Sequence, residues 1–244
     1  MIKIALLCMS LLFSLLGYTQ NYRITYEFEI PHPEFPEKTE DYLKQHFTKE
    51  YKKYNQISEF LKMHTISDGN AYYTSFNKIM ESDEYDSTTL SSVKLLVASV
   101  YPIYYNNGTS LAHNLLFSDR VVEVDNEDYL TWEILNETKT ILGFKCFKAL
   151  PILNPNKPNI KSSFMPVHVW FAPGLNFKAS PSVFGDLPGA VLELENHNST
   201  LRAIEVQETK EKPQIIKLRS GQELTTYEAL DKRAQKAHSD YMDN

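Results

Sequence analysis

From Val121 onward the chain is a succession of short segments in which apolar and polar side chains alternate: RVVEVD, LTWEIL, GFKCFKAL, MPVHVWFA, AVLELE, LRAIEVQE and QIIKLR. Alternation with a period of two places one apolar face on each segment, the pattern of half-buried strands. Turn residues separate the segments at intervals too short for crossover helices, so consecutive strands are expected to be antiparallel neighbours. NYRITYEFEI alternates in the same way, with Tyr22, Ile24, Tyr26, Phe28 and Ile30 on one face and Arg23, Thr25, Glu27 and Glu29 on the other. Asp68-Gly69 and Asn107-Gly108 each stand between strand-like runs, a hairpin signature, because both turn positions need positive φ. Two stretches carry helical spacing instead, one with Leu43, Phe47, Tyr51 and Tyr54, the other with Leu90, Val93, Val97 and Val100. Thr225 and Glu228 stand in capping-box spacing ahead of Tyr227, Leu230, Ala234, Ala237 and Tyr241, which predicts a C-terminal helix over 225–242. The expected fold is α+β: a large twisted antiparallel β-sheet, with half-barrel curvature as one form of it, covered by a few helices.

Lys3 followed by the apolar-to-small run from Ile4 to Leu16 reads as a secretory h-region, with Gly17 and Thr19 as small residues before the cleavage point. Residues 1–19 are therefore expected to be a signal peptide, 20–244 a single domain, and the address the periplasm or outer envelope. No integral membrane segment remains after cleavage. Cys8 falls inside the h-region, which leaves Cys146 without a disulfide partner. The net charge of -6 disfavours nucleic acid and anionic lipid as main partners, since both reward clusters of Lys and Arg.

The chain lacks Gly-x-Ser-x-Gly, His-Glu-x-x-His, Cys-x-x-Cys, Gly-x-Gly-x-x-Gly and a phosphate-cradling glycine loop, so neither a cofactor nor a familiar catalytic site is expected. Cys146 and His168 are the one pair that neighbouring strands bring to mind as metal ligands, with an inert buried thiol and a solvated histidine as the plainer reading. ESDEYD, residues 81–86, clusters carboxylates without the glycine and ligand offsets of a calcium loop, and reads as solvated. Trp132, Phe144, Trp170, Phe171 and Phe184 are candidates for an apolar cavity, or equally for sheet core.

FGDLPGAVLELE, residues 184–195, places Leu187-Pro188-Gly189-Ala190 ahead of an alternating run, which fits a type II turn with proline second and glycine third. Phe184, Gly185, Asp186, Leu187, Pro188 and Gly189 also carry a resemblance. Together with ILGFKCFKA (141–149), VWFAPGL (169–175), Ser180-Pro181 and Trp132, they resemble the GLPGLI family of exported Bacteroidota proteins. Asp186 stands where that family has its first motif glycine, and Ala190 and Val191 replace its Leu-Ile. The resemblance implies an envelope role near TonB-dependent outer-membrane receptors and carries over no catalytic residue. Expected function follows as a non-enzymatic binding or accessory module for an apolar ligand or such a receptor. A metal-handling accessory protein and a hydrolase with an unfamiliar site are the alternatives.

Overall fold

The computed structural model describes residues 20–32, 34–79, 86–98, 100–115, 118–157, 165–230, 232–233 and 236. The signal-peptide expectation for 1–19, most of ESDEYD and the last part of the C-terminal helix lie outside them. Among the described residues twelve strands form one sheet: β1 (Asn21–Glu29), β2 (Met63–Ser67), β3 (Tyr72–Phe76), β4 (Val100–Asn106), β5 (Thr109–Asn114), β6 (Arg120–Asp125), β7 (Leu130–Ile141), β8 (Phe144–Leu153), β9 (Pro166–Ala172), β10 (Ala190–Asn196), β11 (Thr200–Thr209) and β12 (Glu223–Thr225). Their order is β12-β6-β5-β4-β3-β2-β1-β11-β10-β9-β8-β7. The helices are α1 (Asp41–Ile57), α2 (Ser87–Val97) and the short α3 (Asn126–Tyr129), with further helical residues at 227–230 and 232–233.

The hairpin signals fall where expected. Gly69 has φ +110° between β2 and β3, and Asn107 and Gly108 have φ +48° and +85° between β4 and β5. Inward residues of β1 also match, with Ile24, Tyr26 and Phe28 buried and Tyr22 stacked on Phe177 at 4.3 Å. In α2, Leu90, Val93 and Val97 face the core, and the Asp86 carboxylate accepts from Thr89 N–H at 2.8 Å as its cap. α1 buries only Ile57 and keeps Phe47 exposed, with Tyr51 and Tyr54 half-buried on the core.

Three departures matter. β12 pairs with β6 in parallel, so the sheet is mixed rather than purely antiparallel. Thr225 belongs to that strand, and Thr226 caps the C-terminal helix instead, its hydroxyl accepting from Ala229 N–H at 3.4 Å. QIIKLR forms no strand: residues 212–218 make no hydrogen bond, although their side chains alternate.

β6 lies next to one edge of the sheet and β7 is the other edge, yet four residues of α3 join them. So short a link forces the sheet to curl until its two ends approach. Accordingly Leu130 of β7 packs in one cluster with Val122 and Val124 of β6 and with Tyr72, Ile103 and Tyr105 of β3 and β4. The curl stays open at a seam, because among the described residues β12 and β7 are edges with no strand paired beyond them.

Candidate functional site

The Phe184–Gly189 motif lies in the connection from β9 to β10, residues 173–189, which turns inward and fills the concave face. Inward-facing hydroxyls on β2, β3 and β5 meet its carbonyls. Ser67 Oγ donates to Lys178 O at 2.7 Å, Thr74 Oγ1 to Ser180 O at 2.8 Å, Tyr72 OH to Ser182 O at 3.1 Å and Ser110 Oγ to Val183 O at 2.6 Å. Asn126 of α3 accepts from Gly185 N–H at 3.0 Å. A buried irregular segment leaves its backbone groups unpaired unless side chains supply partners, and here three strands and a helix do so.

The type II turn expected at Leu187–Ala190 is replaced by tighter bends. Leu187 N–H donates to Gly185 O and Gly189 N–H to Leu187 O, each at 2.9 Å, which are three-residue turns centred on Asp186 and Pro188. Inverse γ-turns want a central φ near -75°, which proline supplies. Gly189 has φ +143°, and a Cβ there would sit 2.4 Å from Ala172 O. At Gly185 a Cβ would lie 2.0 Å from the Tyr72 hydroxyl, so close approach makes this position a glycine. Asp186 needs no such freedom, since Asn107 and Leu142 are the positive-φ non-glycine residues among those described. Its carboxylate pairs with Lys178 and accepts from Tyr105 OH at 2.8 Å. Burial alone would raise the Asp186 pKa, but Lys178 and Tyr105 outweigh it and hold the carboxyl below its usual value.

The aromatic candidates do not converge. Phe171 and Phe184 are buried in different core clusters. Trp132 is half-buried between the two clusters and its Nε1 has no partner, while Phe144 packs on the first cluster alone. Trp170 is half-buried under the Lys139 ammonium, 4.4 Å from the ring centroid, with Lys148 at 5.8 Å. Lys139 and Arg202 together hold the buried Glu193 carboxylate. Cys146 and His168 are likewise kept apart. Lys148 faces Trp170 and Ala149 faces Val169, so His168 stands level with Leu150, four residues along β8 from Cys146. At a rise of about 3.3 Å per residue that is roughly 13 Å, too far to share one ion. Burial also pushes the Cys146 thiol pKa up, away from the reactive thiolate. No cluster of three potential metal ligands occurs among the described residues.

Titratable groups do converge at the seam. Glu123 and Asp125 from β6, Asp128 and Tyr129 from α3, Lys157 after β8, and Leu224 to Thr226 with Glu228 line an open groove of about 520 Å³. Tyr129 OH donates to Glu228 Oε2 at 2.6 Å. Lys157 Nζ donates to Asp128 Oδ2 at 2.9 Å and lies 3.6 Å from Glu228 Oε1. Burial would raise the Glu228 pKa, but the hydrogen bond from Tyr129, aided by the helix-start donors and Lys157, holds the carboxyl below its usual value. Burial, reinforced by the Glu228 carboxylate, pushes the Tyr129 phenol well up, so it remains a donor. The groove thus offers carboxylate acceptors, one ammonium and two threonine hydroxyls beside an exposed Leu224. The sequence does not reveal it, because its residues come from three separate stretches, 123–129, 157 and 224–228, with no motif among them.

A family model described as N-glycanase peptide, N-terminal domain, matches residues 105–233. Among solved structures, PNGF-II in its P21 crystal form aligns with a TM-score of 0.45 and 18% identity, covering 85% of this chain and 31% of that one. The C2 form of the same protein gives 0.47 and 17%, covering 88% and 32%. This chain therefore spans about a third of the length of the solved chains it matches. No curated protein matches it significantly. With the family model covering 105–233 of 244 residues, the chain belongs to the family of N-glycanase N-terminal domains.

Proposed function

We propose that this chain is an exported, non-catalytic glycan-recognition module and that the seam groove is its binding surface. One observation carries the reading. The stretch that matches the N-glycanase N-terminal domain, 105–233, contains every groove residue from Glu123 to Glu228. Residues 173–189 fill the concave face, so an interior apolar ligand is the poorer choice and recognition is assigned to the outside. Carboxylates accept hydrogen bonds from sugar hydroxyls, Lys157 and the threonines donate to ring and glycosidic oxygens, and such mixed polar lining gives orientation. The excess of carboxylates favours neutral glycans over sialylated ones, because like charges repel. Glu228 is held ionised, the wrong state for a general acid at neutral pH, which fits binding better than glycoside hydrolysis.

Titration calorimetry with a neutral N-glycan oligosaccharide is expected to show binding that Glu228→Gln weakens by roughly tenfold, the loss of a charge-assisted hydrogen bond of about 1.5 kcal/mol. Tyr129→Phe is expected to act in the same direction. No heat and no chemical-shift change at millimolar neutral glycan would sink the reading, as would tighter binding of the sialylated form.

A further inference from the structure

Between β11 and β12 the chain crosses from the middle of the sheet to its edge through residues 210–222. Residues 212–218 make neither backbone nor side-chain hydrogen bonds. Their side chains are mostly exposed, Ile215 at 62% and Leu218 at 50%, with Pro213 and Ile216 half-buried. Lys210, Lys212, Lys217 and Arg219 make this stretch basic on a chain of net charge -6. Most other described lysines and arginines lie on helices and strands, where the backbone is already paired.

We infer that this strap is a processing site for an endoprotease selective for Lys or Arg, with the scissile bond after Lys217; Arg219 is excluded because its N–H and C=O are both held by Gln222. Proteases bind substrate as an extended strand through backbone hydrogen bonds, and a run of free backbone groups meets that need without local unfolding. Lys212 is followed by proline, which removes an N–H donor and fixes φ at the bond it would offer. Hydrolysis adds water across the peptide bond, the hydroxyl going to the Lys217 carbonyl carbon and the proton to the Leu218 nitrogen.

The cut does not by itself release the C-terminal piece. β12 remains paired to β6, Arg120 to Glu223, Arg233 to Asp119, and Gln222 to Ser118 O at 2.9 Å. Tyr227 and Leu230 stay in the second core cluster. Processing therefore turns a covalent wall of the seam into a docked one that can be displaced.

The test is digestion of the native full chain by trypsin, followed by mass spectrometry under native and denaturing conditions. The expected native mass is that of the intact chain plus one water, resolving under denaturation into one fragment that ends at 217 and one that begins at 218. Cleavage there should proceed at the same rate in dilute urea that leaves the body folded, and Lys217→Gln should abolish those fragments while leaving the melting temperature unchanged. Cleavage confined to other sites, or cleavage in the strap that begins only as the body unfolds, would overturn the inference. Neither outcome depends on glycan binding.

Discussion

Gly185 shows how one missing atom can fix a residue. A Cβ there would meet the Tyr72 hydroxyl at 2.0 Å and the Ser180 Cβ at 2.8 Å, both in close-packed core. Tyr72 cannot retreat easily, since it is fully buried, stacks on Tyr105 at 4.7 Å and donates to Ser182 O. Gly185→Ala is therefore expected to destabilise the fold by about 1–3 kcal/mol, the usual cost of overpacking. Tyr72→Phe removes the atom in the way but leaves the Ser182 carbonyl short of a donor, at about 1–3 kcal/mol of its own. In the double variant the two costs should sum to less than the singles, because the clash with the hydroxyl is gone. Urea unfolding of the four proteins measures this, and strict additivity would show that the hydroxyl is not what excludes a side chain.

The inward connection 173–189 works as an element although it has no regular secondary structure. Its carbonyls are carried by Ser67, Thr74, Tyr72 and Ser110 as ladder bonds carry a strand. Ser110→Ala leaves Val183 O buried without its 2.6 Å donor, and is expected to cost about 1–3 kcal/mol. Hydrogen exchange should locate the loss: the Gly185 and Val191 amides, bonded to Asn126 and Ala179 O, exchange faster while β2 and β3 keep their protection. Equal loosening of all strands would argue against the segment as a distinct unit. Hairpins and the apolar face of β1 were legible because both are local, set by turn residues and by a period of two. Thr65, Ser67, Thr74 and Ser110 look like polar interruptions until the segment they serve is known, and that segment is more than 60 residues away. QIIKLR alternates like a strand, but alternation does not supply a partner edge. The groove was illegible for the same reason, since α3 and β12 create it by closing the ends of the sheet.

At the scale of the whole molecule, acid stability draws together three carboxylates in different places. Asp186 in the inward segment, Glu193 on β10 and Glu228 at the seam all have pKa values held below normal by their partners, against the effect of burial. A depressed carboxylate contributes stability that is present above its unfolded pKa and is lost as pH falls through the lower folded value. Lys178 has the opposite sign: burial would lower its pKa, but Asp186 and Tyr105 raise it, so its contribution is lost only as pH rises through that higher value. The Lys178–Asp186 pair is thus intact across neutral pH and fails at both extremes. Glu193 is the most informative test, because its side chain is 7% exposed and both Lys139 and Arg202 depend on it. Glu193→Gln should be clearly less stable than the parent at neutral pH, where an ionised group with two cationic partners has been replaced by a neutral amide. As pH drops below the normal glutamate value of about 4.3 the gap should begin to narrow, and it should close as pH falls through the lower value of the folded parent. Urea midpoints for both proteins from pH 7 to about pH 3 decide it, and a gap that stays constant over that range would mean that Glu193 contributes through packing rather than charge.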